Sequence, residues 1–187
     1  PSSFGEPERN PMLRESLQAT AGMVNFLDDR IGAIFRTLEE TGQLENTLVV
    51  YTSDHGEMHG HHGLWGKGCA AYEDSQRIPL LAWGPGLIPA TGKTEALANV
   101  VDLPRTFLHF AGVKPPIGLQ GCDLSPLLKG DKDSVQDAVL IELRPTHSTL
   151  YQTTLVTATH KLVVYRDTDE GELYDLVTDP SQYRNLW

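Results

Sequence analysis

Thr47-Leu48-Val49-Val50-Tyr51-Thr52, followed without a break by Ser53-Asp54-His55-Gly56-Glu57, is the stretch that organises the reading of this chain. The first six residues are β-branched and apolar on both faces, the pattern of a strand covered on both sides by helices. The next five are polar and turn-forming. In open α/β sheets, ligands bind beyond the carboxyl ends of the strands, so this strand delivers an acid and an imidazole to such a place. Upstream, Leu17, Ala21, Val24, Ile31, Ile34, Phe35 and Leu38 recur at three- and four-residue steps and predict a helix over residues 12–41. Asn10-Pro11 suits its start and Gly42 its end.

Downstream, a glycine- and histidine-rich loop over residues 53–68 precedes a second strand at 78–83, which Gly84-Pro85-Gly86 stops. A helix is expected over 102–111, with Asp102 as N-cap, Leu103, Phe107 and Phe110 on one face, and Gly112 at the end. After Pro115-Pro116 the pattern changes. Residues 138–143, 151–158 and 161–165 read as strands, with a hairpin turn at Thr159-His160. The expected class is therefore α/β over residues 1–135, followed by a small antiparallel β subdomain over 136–187.

The 187 residues carry 15 Lys and Arg against 25 Asp and Glu, a net charge of −10, which excludes a nucleic-acid footprint or a polybasic membrane patch. Apolar runs such as residues 48–51 fall far short of the roughly 20 residues of a membrane helix. Cys69 and Cys122 are too few for a disulfide framework. The opening Pro1-Ser2-Ser3-Phe4-Gly5 and the closing Asn185-Leu186-Trp187 read as the cut ends of a longer chain. A truncated sheet of that kind predicts self-association through an exposed apolar face.

Three residues carry the chemistry. Asp54 offers a hard carboxylate oxygen, His55 an imidazole nitrogen, and Gly56 lets the chain turn sharply behind them. By itself this triplet also suits a polar loop after a strand. The run Gly60-His61-His62-Gly63-Leu64-Trp65-Gly66-Lys67-Gly68 adds a lysine in a glycine-flanked loop within reach of the same strand end. A point ammonium beside a cation is suited to holding a tetrahedral oxyanion. His55, His59, His61 and His62 with Cys69 could also be read as zinc ligands, but their spacing fits no standard finger. His62 and Arg77 are further candidates for substrate contact, Arg77 being equally a partner for Glu73 or Asp74. Glu142 reads as a partly exposed edge residue.

Thr52-Ser53-Asp54-His55-Gly56-Glu57, His62-Gly63-Leu64-Trp65-Gly66-Lys67, Tyr72-Glu73-Asp74-Ser75 and Arg77-Ile78-Pro79-Leu80 resemble the carboxyl-terminal part of the type I sulfatases. The likeness continues through residues 101–106, 111–112 and 121–130, and ends in Glu172-Leu173-Tyr174-Asp175-Leu176, Asp179-Pro180 and Asn185-Leu186. Upstream, residues 27–32 match the helix before the strand. The resemblance implies an alkaline phosphatase-like fold and hydrolysis of a small-molecule or carbohydrate sulfate ester. It implies that Asp54 is a ligand of a divalent cation, usually Ca2+ with Mg2+ or Mn2+ as alternatives. His55 takes the adjacent ligand or substrate-contacting position, and Lys67 is the lysine that touches the sulfate, so that Lys67 and His55 are the catalytic candidates. It also implies export to the periplasm or outside the cell.

In that family the nucleophile is a formylglycine made in a Cys/Ser-x-Pro/Ala-x-Arg motif. No stretch of this chain fits the motif: Cys69 leads to Glu73 where Arg is required, and Cys122 leads to Pro126. Asp28-Asp29 does not replace the family's upstream paired aspartates, because it falls inside the first helix. The expectation is a chain that carries half of a sulfatase site and is inactive alone. A phosphodiesterase or phosphonate monoester hydrolase of the same superfamily is the enzymatic alternative, since the same groups suit a phosphoryl centre. A non-catalytic, degenerate module is the other.

Overall fold

The structure, a computed structural model, describes residues 10–89, 92–145 and 149–187. The opening residues 1–5, read above as a cut end, lie outside them. The chain divides into two compact units, residues 1–86 and 87–187.

In the first unit, helix α1 (Pro11–Glu40) starts where Asn10 and Pro11 predict. The Asn10 side chain accepts the Leu13 amide at 3.3 Å, and Pro11 occupies the first turn, where its missing N–H costs nothing. The helix ends in a Schellman motif: the Gln43 amide reaches back to the Leu38 carbonyl at 2.8 Å, and Gly42 bonds to Glu39 with φ of +68°. The apolar stripe is real but covered only toward its two ends, where Leu13 in the first turn is buried. Ile31, Phe35 and Leu38 are half-buried, with the Phe35 ring edge-on to Trp83 at 4.9 Å. Leu17, Val24 and Ile34 are exposed, because among the described residues the unit has no element against those turns.

Strands β1 (Val49–Thr52) and β2 (Leu80–Trp83) pair antiparallel, Val49 opposite Trp83 and Thr52 opposite Leu80. The two are joined by the glycine-rich loop and a short helix α2 (Glu73–Gln76) rather than by a helical crossover. Tyr51, Leu80, Leu81 and Trp83 stay exposed, so the expected cover on both faces of the first strand is not found in this unit.

In the second unit, helix α3 (Leu103–Phe110) follows a 3-10 turn over Val100–Asp102 and ends at Gly112, whose φ is +66°. Asp102 does not cap α3 as expected. It is 1% exposed, and its carboxylate accepts the Asn99 amide at 2.7 Å, the Cys122 amide at 2.8 Å and the Gln136 side-chain amide at 2.8 Å. A buried carboxylate with three donors ties the segments around residues 99, 122 and 136 together. A short helix α4 (Ser125–Leu128) buries Leu127.

The last four strands, β3 (Ala138–Leu143), β4 (Gln152–Thr157), β5 (His160–Tyr165) and β6 (Gly171–Asp175), form one antiparallel sheet in sequence order. The β4–β5 hairpin turns at Ala158-Thr159, where Thr157 Oγ1 accepts the His160 amide at 3.0 Å. His160 itself belongs to β5. One face buries Gln152, Thr154, Lys161, Val163 and Tyr174. Strand β6 was not marked as a strand by its composition, since Gly171, Glu172 and Asp175 are weak strand formers. Pairing with β5 and with the tail makes it one: Asn185 Oδ1 accepts the Leu173 amide at 3.0 Å, and the Leu186 amide donates to the Leu173 carbonyl at 2.8 Å.

Candidate active site

Strand β1 ends at Thr52, and the chain turns at once. Ser53 Oγ donates to the His55 carbonyl at 3.1 Å, and the Gly56 amide donates to the Ser75 carbonyl at 2.8 Å. This second bond brings Gly56 against the backbone of α2 so closely that a Cβ there would lie 1.8 Å from the Asp74 carbonyl oxygen. Glycine is required by that approach.

The turn presents Asp54 and His55 side by side. The Asp54 side chain is 84% exposed and that of His55 37%. His55 Nδ1 lies 2.8 Å from the Gly56 carbonyl, an acceptor only, so Nδ1 carries the proton. In the neutral tautomer with the proton on Nδ1, Nε2 faces outward as an acceptor. Lys67 Nζ lies 2.8 Å from that Nε2, and Asp54 Oδ2 lies 3.4 Å from it. Three of the residues singled out from sequence thus converge: carboxylate, imidazole and ammonium.

The Asp54 carboxyl is drawn below its ordinary value, foremost by a hydrogen bond from its own backbone amide. Desolvation opposes this, while His55 when protonated, the His55 amide and the charge of Lys67 add to the pull. The result is an exposed, ionised carboxylate beside an ammonium, an arrangement that can hold a hard cation and a multiply charged anion together.

The other candidates stand in the same loop with different partners. His61 Nδ1 is 2.6 Å from Asp74 Oδ2, and the His62 ring stacks flat on Tyr72 at 3.8 Å between centroids. Arg77 lies 4.0 Å from Glu73 one helical turn away. Glu142 is 2.5 Å from Arg144 Nη2. Among the described residues, no group of three or more His, Cys, Asp and Glu is placed to hold a metal ion.

Two residues that sequence reasoning quoted without a role bind the loop. Glu57 Oε1 accepts the Gly66 amide at 2.6 Å and the His59 amide at 3.4 Å. Ser75, buried, donates from Oγ to the Lys67 carbonyl at 3.1 Å. The bonds to Gly66 and Lys67 reach backbone atoms nine and eight residues away, and no spacing rule marks them.

Two family models match the chain. One is described as Sulfatase and covers residues 2–113; the other, N-sulphoglucosamine sulphohydrolase, C-terminal, covers residues 60–187. The chain belongs to the sulfatase family. It is 36% identical over 168 residues to an N-acetylglucosamine-6-O-sulfatase of Bacteroides thetaiotaomicron, covering 86% of this chain and 30% of that protein. It is 32% identical over 189 residues to a choline-sulfatase of Rhizobium meliloti, covering 98% of this chain and 35% of the relative. The chain spans about a third of the length of these curated relatives.

Among solved structures, one in complex with its substrate D-glucosamine-2-N,6-O-disulfate superposes with a TM-score of 0.80 at 35% identity, over 87% of this chain and 34% of that one. The phosphonate monoester hydrolase of Agrobacterium radiobacter superposes with a TM-score of 0.78 at 28% identity, over 88% and 36%. The fold is thus the expected one, part of a sulfatase α/β arrangement with a carboxyl-terminal four-stranded antiparallel sheet. No helix among the described residues is long and apolar enough to cross a membrane.

Proposed function

We propose that the full-length protein hydrolyses sulfate esters and that this chain supplies half of the site: Asp54 toward a divalent cation, and His55 and Lys67 toward the sulfate. The observation that carries the reading is the meeting of Lys67 Nζ with His55 Nε2 at 2.8 Å, beside Asp54, at the carboxyl end of β1. Residues 1–135 then form the carboxyl-terminal portion of the sulfatase domain, and 136–187 a small antiparallel subdomain.

The donors fit a hard cation in part. An exposed, ionised Asp54 offers oxygen, which suits Ca2+ better than imidazole does. A bound cation supplies Lewis-acid polarisation of the ester oxygens. The chain's own residues do the rest. Lys67 donates to the non-bridging oxygens and holds the sulfuryl group in place, while the electron pair of the breaking S–O bond goes to the leaving oxygen. His55 fixes the position of that ammonium from one side. The ammonium can lend a proton to His55 Nε2, 2.8 Å away, and the imidazolium so formed can give it to the departing oxygen, which holds the electron pair of the broken bond. The family's nucleophile motif is not in this chain, so the chain alone is expected to bind sulfate without turning over an ester.

A carbohydrate sulfate is the favoured substrate class, supported by the likeness to the N-acetylglucosamine-6-O-sulfatase and to the protein solved with a sulfated glucosamine. A second reading, phosphonate or phosphate ester hydrolysis, is supported by the likeness to the phosphonate monoester hydrolase and to a multifunctional alkaline phosphatase superfamily protein of Trinickia caryophylli. Turnover of 4-nitrophenyl sulfate, glucosamine 6-sulfate and a phenylphosphonate monoester by the full-length protein separates the two. Lys67→Ala is expected to lower kcat for the preferred ester by about 10²–10³, the scale for one lost oxyanion donor. An unchanged rate removes Lys67 from the site and the proposal with it.

A further inference from the structure

We infer that Glu57 and Ser75 are positioning residues that act through Lys67, clamping the backbone on both sides of that residue so that its ammonium meets His55. The inference rests on the reading of Lys67 given above. A lysine has a long, flexible stem and a point charge with no planar fork to orient it, so its reach to a fixed oxyanion depends on where its backbone is held. Lys67 is itself exposed and sits in a loop rich in glycine. Its own side chain cannot define that place.

Four bonds define it. On the amino-terminal side, Gly66 is gripped at both ends: its amide donates to Glu57 Oε1 at 2.6 Å, and its carbonyl accepts the Met58 amide at 3.1 Å. Gly66 takes φ of +71°, a left-handed geometry that glycine adopts without a Cβ penalty. On the carboxyl-terminal side, Ser75 Oγ donates to the Lys67 carbonyl at 3.1 Å, while the carbonyl of the same serine accepts the Gly56 amide at 2.8 Å.

Ser75 therefore joins the two halves of the site through one buried residue: one bond to the turn that carries Asp54 and His55, the other to the residue that carries the ammonium. Glu57 does the same from the other direction, since it follows that turn directly and holds the glycine before Lys67. Neither side chain bonds to Asp54 or His55. Neither touches substrate in this account, and the pair sets only the distance between imidazole and ammonium.

The test is a pair of double-mutant cycles in the full-length protein, Ser75→Ala with Lys67→Ala and Glu57→Ala with Lys67→Ala. The readouts are the affinity for inorganic sulfate by calorimetry and kcat/KM for 4-nitrophenyl sulfate. With Lys67 present, each clamp variant is expected to weaken sulfate binding and kcat/KM about tenfold, because a displacement near 1 Å at a reacting centre is costly. With Lys67 replaced, the same change is expected to cost less than about twofold, because residues that act through one group are not additive. Glu57→Gln keeps an acceptor oxygen and is expected to restore sulfate affinity.

Equal losses in both backgrounds overturn the clamp and leave the function of Lys67 standing. So does a Glu57→Gln variant as weak as Glu57→Ala. A Lys67→Ala variant with unchanged sulfate affinity and rate removes the reading beneath the clamp, and the clamp with it. Should Ser75→Ala fail to fold, the Glu57 cycle decides alone.

Discussion

Replacing Gly56 by alanine probes the placement of the site through one contact. A Cβ at this position would lie 1.8 Å from the Asp74 carbonyl oxygen and 2.8 Å from its carbon, both backbone atoms that no rotamer change can move. Ordinary contact begins near 3.4 Å, so the turn and α2 must separate by about 1.6 Å (3.4 − 1.8). That shift stretches the 2.8 Å bond from the Gly56 amide to the Ser75 carbonyl beyond hydrogen-bond range. Overpacking of this kind costs about 1–3 kcal/mol, and the lost bond about 1 kcal/mol more, so Gly56→Ala is expected to destabilise by roughly 2–4 kcal/mol. Because the moving turn carries Asp54 and His55, kcat/KM for a sulfate ester is expected to fall about 10²-fold as well. Gly63→Ala is the control: Gly63 has φ of +73° with nothing within 4 Å, so only the backbone strain of about 1 kcal/mol applies there. Urea denaturation and ester turnover of both full-length variants measure the difference. A Gly56→Ala protein as stable as Gly63→Ala, with full activity, would refute the claim that this backbone contact sets the site.

Asp102→Ala, which leaves the Asn99 and Cys122 amides and the Gln136 side chain without their acceptor, is expected to lower stability by about 3 kcal/mol, read as a urea midpoint shift. The Asp175 carboxyl is held below its ordinary value of 3.8, first by the Thr178 hydroxyl and then by the Thr178 and Val177 amides. A depressed folded-state value contributes stability that is complete above the unfolded value and is lost as pH falls through the folded one, so Asp175→Asn is expected to flatten the acid-unfolding profile below about pH 4 and leave neutral stability less changed than Asp102→Ala does. Asp54→Ala is expected to weaken binding of Ca2+ in a calorimetric titration of the full-length protein, and an identical isotherm refutes its role as a ligand.

Much of the fold is legible because its boundaries are written in local chemistry. Asn10, Pro11 and Gly42 mark α1 to within a residue, since each residue type fits its position for a reason confined to that turn. The α1 stripe shows where that legibility stops: a 3.6-residue period says that a face exists and is silent on what lies against it, and Val24 and Ile34 are exposed while Phe35 meets Trp83. Asp102 shows it again. The same Asp before the same helix reads as an N-cap, yet its acceptors serve amides up to 34 residues away. Strand β6 is strand by virtue of its neighbours, whatever its own propensity.

The site divides along the same line. Asp54, His55 and Lys67, the proposed acting groups, have side chains whose chemistry is evident from residue type, and a motif can carry all three. The groups that place them work on backbone: Gly56 by lacking a Cβ, Ser75 and Glu57 by bonding to a carbonyl and an amide across the loop. A backbone atom has no residue identity, so bonds to it leave no complementary pair of letters in the sequence. Reading residues for chemistry therefore finds the groups proposed to meet the ligand and passes over those proposed to fix the distances between them. That is why the variants that test this site most sharply are at Gly56, Glu57 and Ser75, rather than at further charged residues of the histidine-rich loop.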